Sequence, residues 1–575
     1  LAGNVPNYIE DVFSTYLYTG NGSTQTITNG VNLSANGGLV WMKGRTSEFG
    51  TSNHWLQDTV RGVNSVVFSN SSNAAINPAG TAISAFNTTG FSLGSNGNVN
   101  NLNDTMVSWA FRKQPKFFDV VTYTGNGSTQ NIAHSLGSVP GMIIVKRTTS
   151  AGGWWVYHRS LGATKYIALN DTAAADTASS VWNDTAPTST VFTVGSFSEV
   201  NQNSQTFVAY LFAHDAGGFG LTGTDNVISC GSFTSTGATA SDNVIVNLGY
   251  EAQFILFKPN NVSDWQMYDT MRGLSVTGTR LLRPNTSDAE VDGGSTYAPE
   301  PNATGFTAKR GLGYSSGTQV IYIAIRRGPM KVPTSGTSVF TTLGSTAPSP
   351  PSWHSTNFPV DLGFWKNKTN ASGNWNWGDR LRGGRVLNSN NTDAEVTNSQ
   401  YAFDYREGWY NGSTLGDNYP SWMFRRAPGF FDEVCYTGTG TSPLAVSHNL
   451  AAIPEMMIFK DRGNADSWYT YHANASGTPQ GSYLTLNSTG AVGSSIYVWG
   501  NTLPTSSVFT VGATNNTSAY NYVAYLFATV AGVSKVGSYT GTGTTQVINC
   551  GFTSGARFVL IKRTDSTGDW YVWDS

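Results

Sequence analysis

The stretch that decides the fold is YTGNGSTQ, residues Tyr18–Gln25. The same eight letters return at Tyr123–Gln130, a period of about 105 positions. Weaker copies read YTGTGTSP at Tyr436–Pro443 and YTGTGTTQ at Tyr539–Gln546. The interval from Tyr123 to Tyr436 holds about three periods, and degenerate copies are placed near Phe233 (SFTSTG) and Phe340 (VFTTLG). A phosphate cradle would need its glycines to lead into a helix N-terminus with a lysine. Here Thr-Gln and another apolar strand follow. The octamer is therefore read as the first strand and turn of a repeated unit. Gly20, Gly22, Gly125 and Gly127 are expected to supply positive φ in that connection.

Other strings keep the same period. An apolar strand ending in Lys follows each octamer: GLVWMK (Gly38–Lys43), GMIIVK (Gly141–Lys146), AQFILFK (Ala252–Lys258), LGFWK (Leu362–Lys366), EMMIFK (Glu455–Lys460) and RFVLIK (Arg557–Lys562). Units close on a nearly continuous apolar run, such as SWAFRK, VIYIAIRR, SWMFRR and VAYLFA. These runs are short, β-branched and aromatic, bounded by Gly, Asn, Ser and Thr at turn spacing, and no window carries a capped helical stripe. The fold class is all-β: tandem antiparallel β-sandwiches of jelly-roll or lectin-like type, about 105 residues each. The continuous closing run predicts a central strand covered on both faces. Proline-marked seams at Pro115 and Pro428 give units over 1–114, 115–215, 216–329, 330–427, 428–530 and an incomplete 531–575, with a Pro/Ser-rich linker at 328–351. A half-unit cannot close a sandwich core, so further chain is expected after Ser575.

Composition narrows the function classes. Of 575 residues only 12% are charged and the net charge is −2. There is no basic block, so nucleic-acid binding is not expected. No apolar stretch reaches the roughly 18 residues of a membrane span, so membrane insertion is not expected either. Cys230, Cys435 and Cys550 are far apart and odd in number, which gives neither a disulfide framework nor a zinc spacing. No calcium loop is present, and no cofactor or metal is expected.

The most chemical-looking element follows the Lys strand. Unit 1 reads HWLQDTVRG, unit 3 WQMYDTMRG and unit 4 WNWGDRLRGG, so Asp58 and Arg61, Asp269 and Arg272, and Asp379 and Arg382 share one spacing. Units 2 and 5 set His158 and His472 at the Asp position, and unit 6 sets Asp574 there. Trp154, Trp265, Trp375, Trp468 and Trp570 lie four residues earlier, on the same strand face, and Trp55 lies in the corresponding strand of unit 1. Two readings are open. Indole and carboxylate on one face suit a glycan, stacking and bonding its hydroxyls. Alternatively Trp is a core or interface residue, and Asp with Arg pins the Arg-Gly turn. Two acidic pairs, Asp288/Glu290 in TSDAEV and Asp393/Glu395 in NTDAEV, have the i, i+2 spacing of a shared strand face but read better as solvated turns than as a hydrolytic pair. His134 and His448 recur in AHSL and SHNL and read as structural.

YIEDVFSTYLYTGNGSTQTI (Tyr8–Ile27), the Lys strand, DTVRG and SWAFRK resemble a domain of unknown function found in tail-fibre-like and other virion proteins of tailed bacteriophages, especially marine, cyanophage-type ones. YTGNGSTQNIAHSLGSVPGMIIVK, with WWVYHRSLG and FVAYLFA, resembles its sister form. The resemblance implies a non-enzymatic virion protein with sandwich domains related to the concanavalin-A-type lectins. It would serve as a tail fibre, tail appendage or surface decoration. Its expected partners are other virion proteins, further copies of itself in a homo-oligomer, and host-surface glycans. The lectins' calcium and sugar ligands have no matching motif here. A cellular surface adhesin and a glycan-degrading enzyme are the alternatives.

Overall fold

The computed structural model describes residues 6–46, 52–343, 352–398, 401–406, 408–411 and 418–575. Of the segment 328–351 expected to be a linker, residues 344–351 lie outside these, and Phe340–Leu343 is no linker but a strand paired with Ser421–Phe424. The chain is built from antiparallel sheets, with only single-turn helices between strands.

In sandwich 1, strand Thr105–Arg112 pairs with Phe13–Thr19 on one side and Gly38–Gly44 on the other, and Trp55–Asp58 and Val67–Phe68 extend the sheet. A second sheet of Gln25–Thr28, Gly90–Leu93 and Ile83–Asn87 covers one face. The first strand is thus in one sheet and the second in the other, with the octamer as the crossing. Met106 and Ala110 point into the core with Val40, Met42 and Phe91, whereas Trp109 and Phe111 point away from it. Both faces of this central strand are buried, which is why its sequence does not alternate.

The same plan recurs. Sandwich 2 uses strands between Phe118–Thr124 and Thr206–Phe212, sandwich 3 between Ile228–Thr234 and Gln319–Arg326, sandwich 4 between Phe340–Leu343 and Ser421–Phe424, and sandwich 5 between Phe431–Thr437 and Asn521–Phe527. A sixth sequence repeat contributes the hairpin Phe558–Lys562 and Trp570–Asp574. One register differs from the sequence expectation. Phe340 faces Phe424 as Phe13 faces Phe111, so VFTTLG begins its strand and does not match the octamer's Tyr18.

The octamer's repetition has a local cause. Asn100 is fully buried beneath it; its Oδ1 accepts the Asn21 N–H at 3.0 Å and Gln25 Nε2 at 2.6 Å, and its Nδ2 donates to Gly94 O at 2.8 Å and to Ser23 O. Asn201 does the same beneath the second copy, at 2.9 Å to the Asn126 N–H and 2.7 Å to Gln130 Nε2. Tyr18 and Tyr123 cap the bend by donating to Val99 O and Val200 O. The glycines divide the work differently from the sequence expectation. Gly22 and Gly127 have φ of +69° and +74°, but Gly20 and Gly125 are not in the left-handed region. A Cβ on Gly20 would stand 1.9 Å from Asn101 O, and one on Gly125 2.2 Å from Gln202 O. The first glycine of each pair permits close approach and the second permits the turn.

By packing, the chain divides into two compact units, one built essentially from residues up to 328 and one from 329 onward. The first holds sandwiches 1–3 and the second holds sandwiches 4, 5 and the last hairpin. Among the described residues no helix is long and apolar enough to cross a membrane.

Candidate functional site

The Asp-x-x-Arg element is a strand end locked onto its own turn. Asp58 closes the strand Trp55–Asp58; its Oδ1 accepts the backbone N–H groups of Val60 and Arg61 at 3.1 and 2.9 Å, and its Oδ2 accepts Arg61 Nε at 2.6 Å. Asp269 binds Arg272 N at 2.9 Å and Nε at 2.6 Å, and Asp379 binds Arg382 N at 2.7 Å and Nε at 2.6 Å. Each arginine turns back to the carbonyl of its own strand: Leu56, Met267 or Trp377. These charge-assisted bonds close within three residues of each aspartate.

Distant partners nevertheless complete it. Tyr210, on the closing strand of sandwich 2, donates to Asp58 Oδ2 at 2.9 Å and accepts from Arg61 Nη2 at 3.0 Å. Trp109, on the closing strand of sandwich 1, donates its indole N–H to Asp269 Oδ2 of sandwich 3 at 3.1 Å. His158 holds its turn through Nδ1, which accepts the Ser160 N–H at 3.2 Å, and its Nε2–H donates to Tyr322 O of sandwich 3 at 3.1 Å. Sandwich 2 therefore meets 1, 1 meets 3, and 3 meets 2, each by its closing strand. The first unit is a closed ring of three sandwiches.

The strand lysines and tryptophans follow the same cycle in the same direction. Lys43 Nζ donates to Ser287 O of sandwich 3 at 3.1 Å, Lys146 to Ser72 O of sandwich 1 at 3.0 Å, and Lys258 to Thr172 O of sandwich 2 at 3.3 Å. Burial pulls all three ammonium groups down to about 8. Trp154 donates to Phe68 O at 2.9 Å and Trp265 to Ala168 O at 2.7 Å. In sandwich 1 the position four before Asp58 is His54, and the joint to sandwich 3 is made by Ser69 Oγ, 2.7 Å from Pro284 O. Phe111, Phe212 and Phe254, one from each sandwich, meet at the hub, with ring centroids 5.6 and 6.3 Å from that of Phe111.

The second unit repeats these joints. Tyr525 donates to Asp379 Oδ2 at 2.7 Å and accepts from Arg382 Nη2 at 3.0 Å, as Tyr210 does in the first unit. Trp422 donates to Asp574 Oδ2 at 3.1 Å, as Trp109 does to Asp269. Trp468 donates to Asn388 O and Trp570 to Thr485 O. Phe424 meets Phe527 and Phe558, both at 5.9 Å.

These positions decide between the two readings of the motif. Trp154, Trp265 and Trp468 are at most 1% exposed, as are Asp58, Asp269, Arg272, Asp379, Arg382 and His158. A pyranose cannot stack on an indole that no solvent reaches, so these residues are joints between sandwiches and not a sugar platform. Trp375 is half-buried against Trp422, and His472 is half-buried with Nδ1 holding the Asn474 N–H. Trp55 has a different role: it sits one residue out of register with the others and faces the core of sandwich 1 against Phe68.

The acidic pairs are also corrected. Glu290 is no solvated turn residue; it bonds Arg45 at 2.8 Å and Arg272 at 3.1 Å. Burial alone would raise its pKa, but the two arginines outweigh that and hold it below the usual carboxylate range. Glu395 sits likewise between Arg382 and Arg462, at 3.4 and 2.8 Å. Asp288 and Asp393 remain exposed, so neither pair presents two carboxylates across a cleft. Sequence reasoning missed Tyr210, Tyr525, Trp109 and Trp422, whose signal was a polar-tipped aromatic at one recurring position of the closing strand. Among the described residues no group of three or more metal-ligating side chains occurs.

The chain belongs to a family described as a domain of unknown function, DUF7483, which matches residues 9–329 and 335–575. The two matched segments follow the two compact units, so the first match spans a whole ring of three sandwiches. No curated protein matches the chain.

Proposed function

We propose that this DUF7483 member is a non-enzymatic virion protein of a tailed phage: a fibre, tail appendage or surface decoration that also adheres to host-surface glycan. The observation that carries the non-enzymatic part is the fate of the recurring polar residues. Asp58, Asp269, Asp379, their arginines and His158 are consumed in joints between sandwiches, where they bond backbone and aromatic side chains. Such residues set geometry; they are not held ready for a substrate. The resemblance of the octamer, Lys strand and closing strand to phage domains supports the particle assignment. A surface of Ser, Thr, Asn and Gly with little net charge suits weak contacts repeated along an array, where avidity compensates for poor single-site affinity. Further copies of this chain and other virion proteins are its proposed partners.

Mass spectrometry and immunogold labelling of purified particles test the assignment. The chain should co-purify at a fixed stoichiometry and decorate one place on the particle. Labelling of the host cell surface, with none on particles, would instead favour a cellular adhesin. Shortening of any glycan incubated with the chain would overturn the non-enzymatic reading.

A further inference from the structure

In every sandwich one residue stands opposite the residue that precedes the strand lysine. It is Trp55 in sandwich 1, Trp155 in 2, Gln266 in 3, Asn376 in 4 and Tyr469 in 5. Its surroundings depend on the second sheet. In sandwich 1 that sheet has a third strand, Ile83–Asn87, which shares a core cluster with Trp55 and leaves it 3% exposed. Sandwiches 3 and 4 also have three-stranded second sheets, and there the position is polar. Sandwiches 2 and 5 have second sheets of two strands facing main sheets of six. No third strand covers the position, yet it is aromatic in both and only half-buried.

The neighbours of Trp155 are also aromatic and half-buried. Tyr166 lies 4.7 Å away at 62° and Phe197 4.9 Å away at 88°. Two carboxylates flank them: the exposed Asp176 accepts the Tyr166 hydroxyl at 3.1 Å, and Glu199 accepts the Gly153 N–H at 2.7 Å while paired with Arg147 at 3.0 Å. In sandwich 5 Tyr469 meets Tyr483 edge to face at 5.5 Å, at the same register. A core aromatic without its cover is a cost to a soluble surface unless something else covers it.

We propose that the Trp155–Tyr166–Phe197 surface of sandwich 2, with its counterpart at Tyr469 and Tyr483 in sandwich 5, is a stacking platform for a hexopyranose unit of a host-surface polysaccharide. The chemistry selects the ligand. Aromatic rings take the apolar C–H face of a sugar, and a carboxylate at the edge can only accept, which suits ring hydroxyls. Glu199 is paired with Arg147, which leaves Asp176 as the exposed carboxylate at the edge of the rings, free to accept from a hydroxyl. Two such platforms on one chain fit the repeated weak contacts of an adhesin. This proposal rests on the adhesion reading and gives it a location, replacing the buried Trp-Asp positions.

The test is binding of the full chain to an array of bacterial O-polysaccharides and linear glucose, galactose, mannose and N-acetylglucosamine oligosaccharides. Wild-type protein should bind a subset of spots. Trp155→Ala and Tyr469→Ala should each weaken that binding by about tenfold, and together abolish it, in chains whose circular dichroism remains that of the folded protein even where melting is lowered by the lost packing. Asp176→Asn, which keeps the rings, should change the spot preference. Undiminished binding by the double variant would remove the platform and leave adhesion standing. A wild-type chain that binds no spot would overturn the adhesion reading and the platform's ligand together. Competition by choline but not by sugars would overturn the choice of ligand.

Discussion

Tyr210→Phe isolates one joint of the ring. The substitution removes a single oxygen that donates to Asp58 Oδ2 at 2.9 Å and accepts from Arg61 Nη2 at 3.0 Å. The ring itself would stay stacked on Trp154 and Phe118, both with centroids 6.4 Å away. A bond to a charged group contributes about 1.5–3 kcal/mol, and Asp58 keeps its three intra-turn donors, so its charge is not orphaned. The expected loss is therefore about 2 kcal/mol. For a cooperative unit of roughly 300 residues this lowers the melting temperature by about 3 °C. Urea unfolding followed by tryptophan fluorescence, beside calorimetry, reads it, and the transition should remain cooperative across sandwiches 1 to 3. Asp58→Asn and the double variant complete a cycle, in which the two changes should couple by more than 0.5 kcal/mol, taken as roughly the additivity limit. A change under about 0.5 kcal/mol for Tyr210→Phe, or strict additivity with Asp58→Asn, would refute the claim that this pair joins the sandwiches.

Three further outcomes follow from the same geometry. His158→Asp would set a carboxylate against Tyr322 O where an N–H now donates, so it should cost about 2–4 kcal/mol by urea unfolding despite matching the Asp of the other sandwiches. Burial pulls His158 from 6.5 down to about 4, so the folded state resists a proton that the unfolded chain takes up; its stability contribution is full above pH 6.5 and is lost as pH falls toward 4, by about 3 kcal/mol, and His158→Gln should flatten that part of the acid titration. Gly20→Ala should destabilise more than Gly22→Ala in thermal melts, because its Cβ meets backbone at 1.9 Å whereas Gly22 has only its φ of +69° and a side-chain contact at 3.3 Å to offend; equal effects would count against the division of roles between the two glycines.

Much of the fold was legible because its determinants are local. The octamer, the Lys strand and the closing strand each report a strand and its turn, and their period reports the repeat. The Asp-x-x-Arg turn was legible for the same reason, since its bonds span three residues. The assignment of positive φ to Gly20 was not, because proximity to Asn101 O and left-handed backbone both select glycine and the letter is identical. Glu290 and Glu395 looked like turn residues because the arginines that claim them, Arg45 and Arg462, lie 245 and 67 positions away.

The sequence by itself determined the strands, their order within a unit, and the polar residue at the end of the fourth principal strand. Those are set by side-chain alternation, turn residues and hydrogen bonds between near neighbours. Only the tertiary structure decided what that residue meets: Tyr210 for Asp58, Trp109 for Asp269, a backbone carbonyl for His158. A closed ring places those groups together across 152 to 164 residues of chain, and no local pattern carries the information because the partner is chosen by packing around the phenylalanine hub.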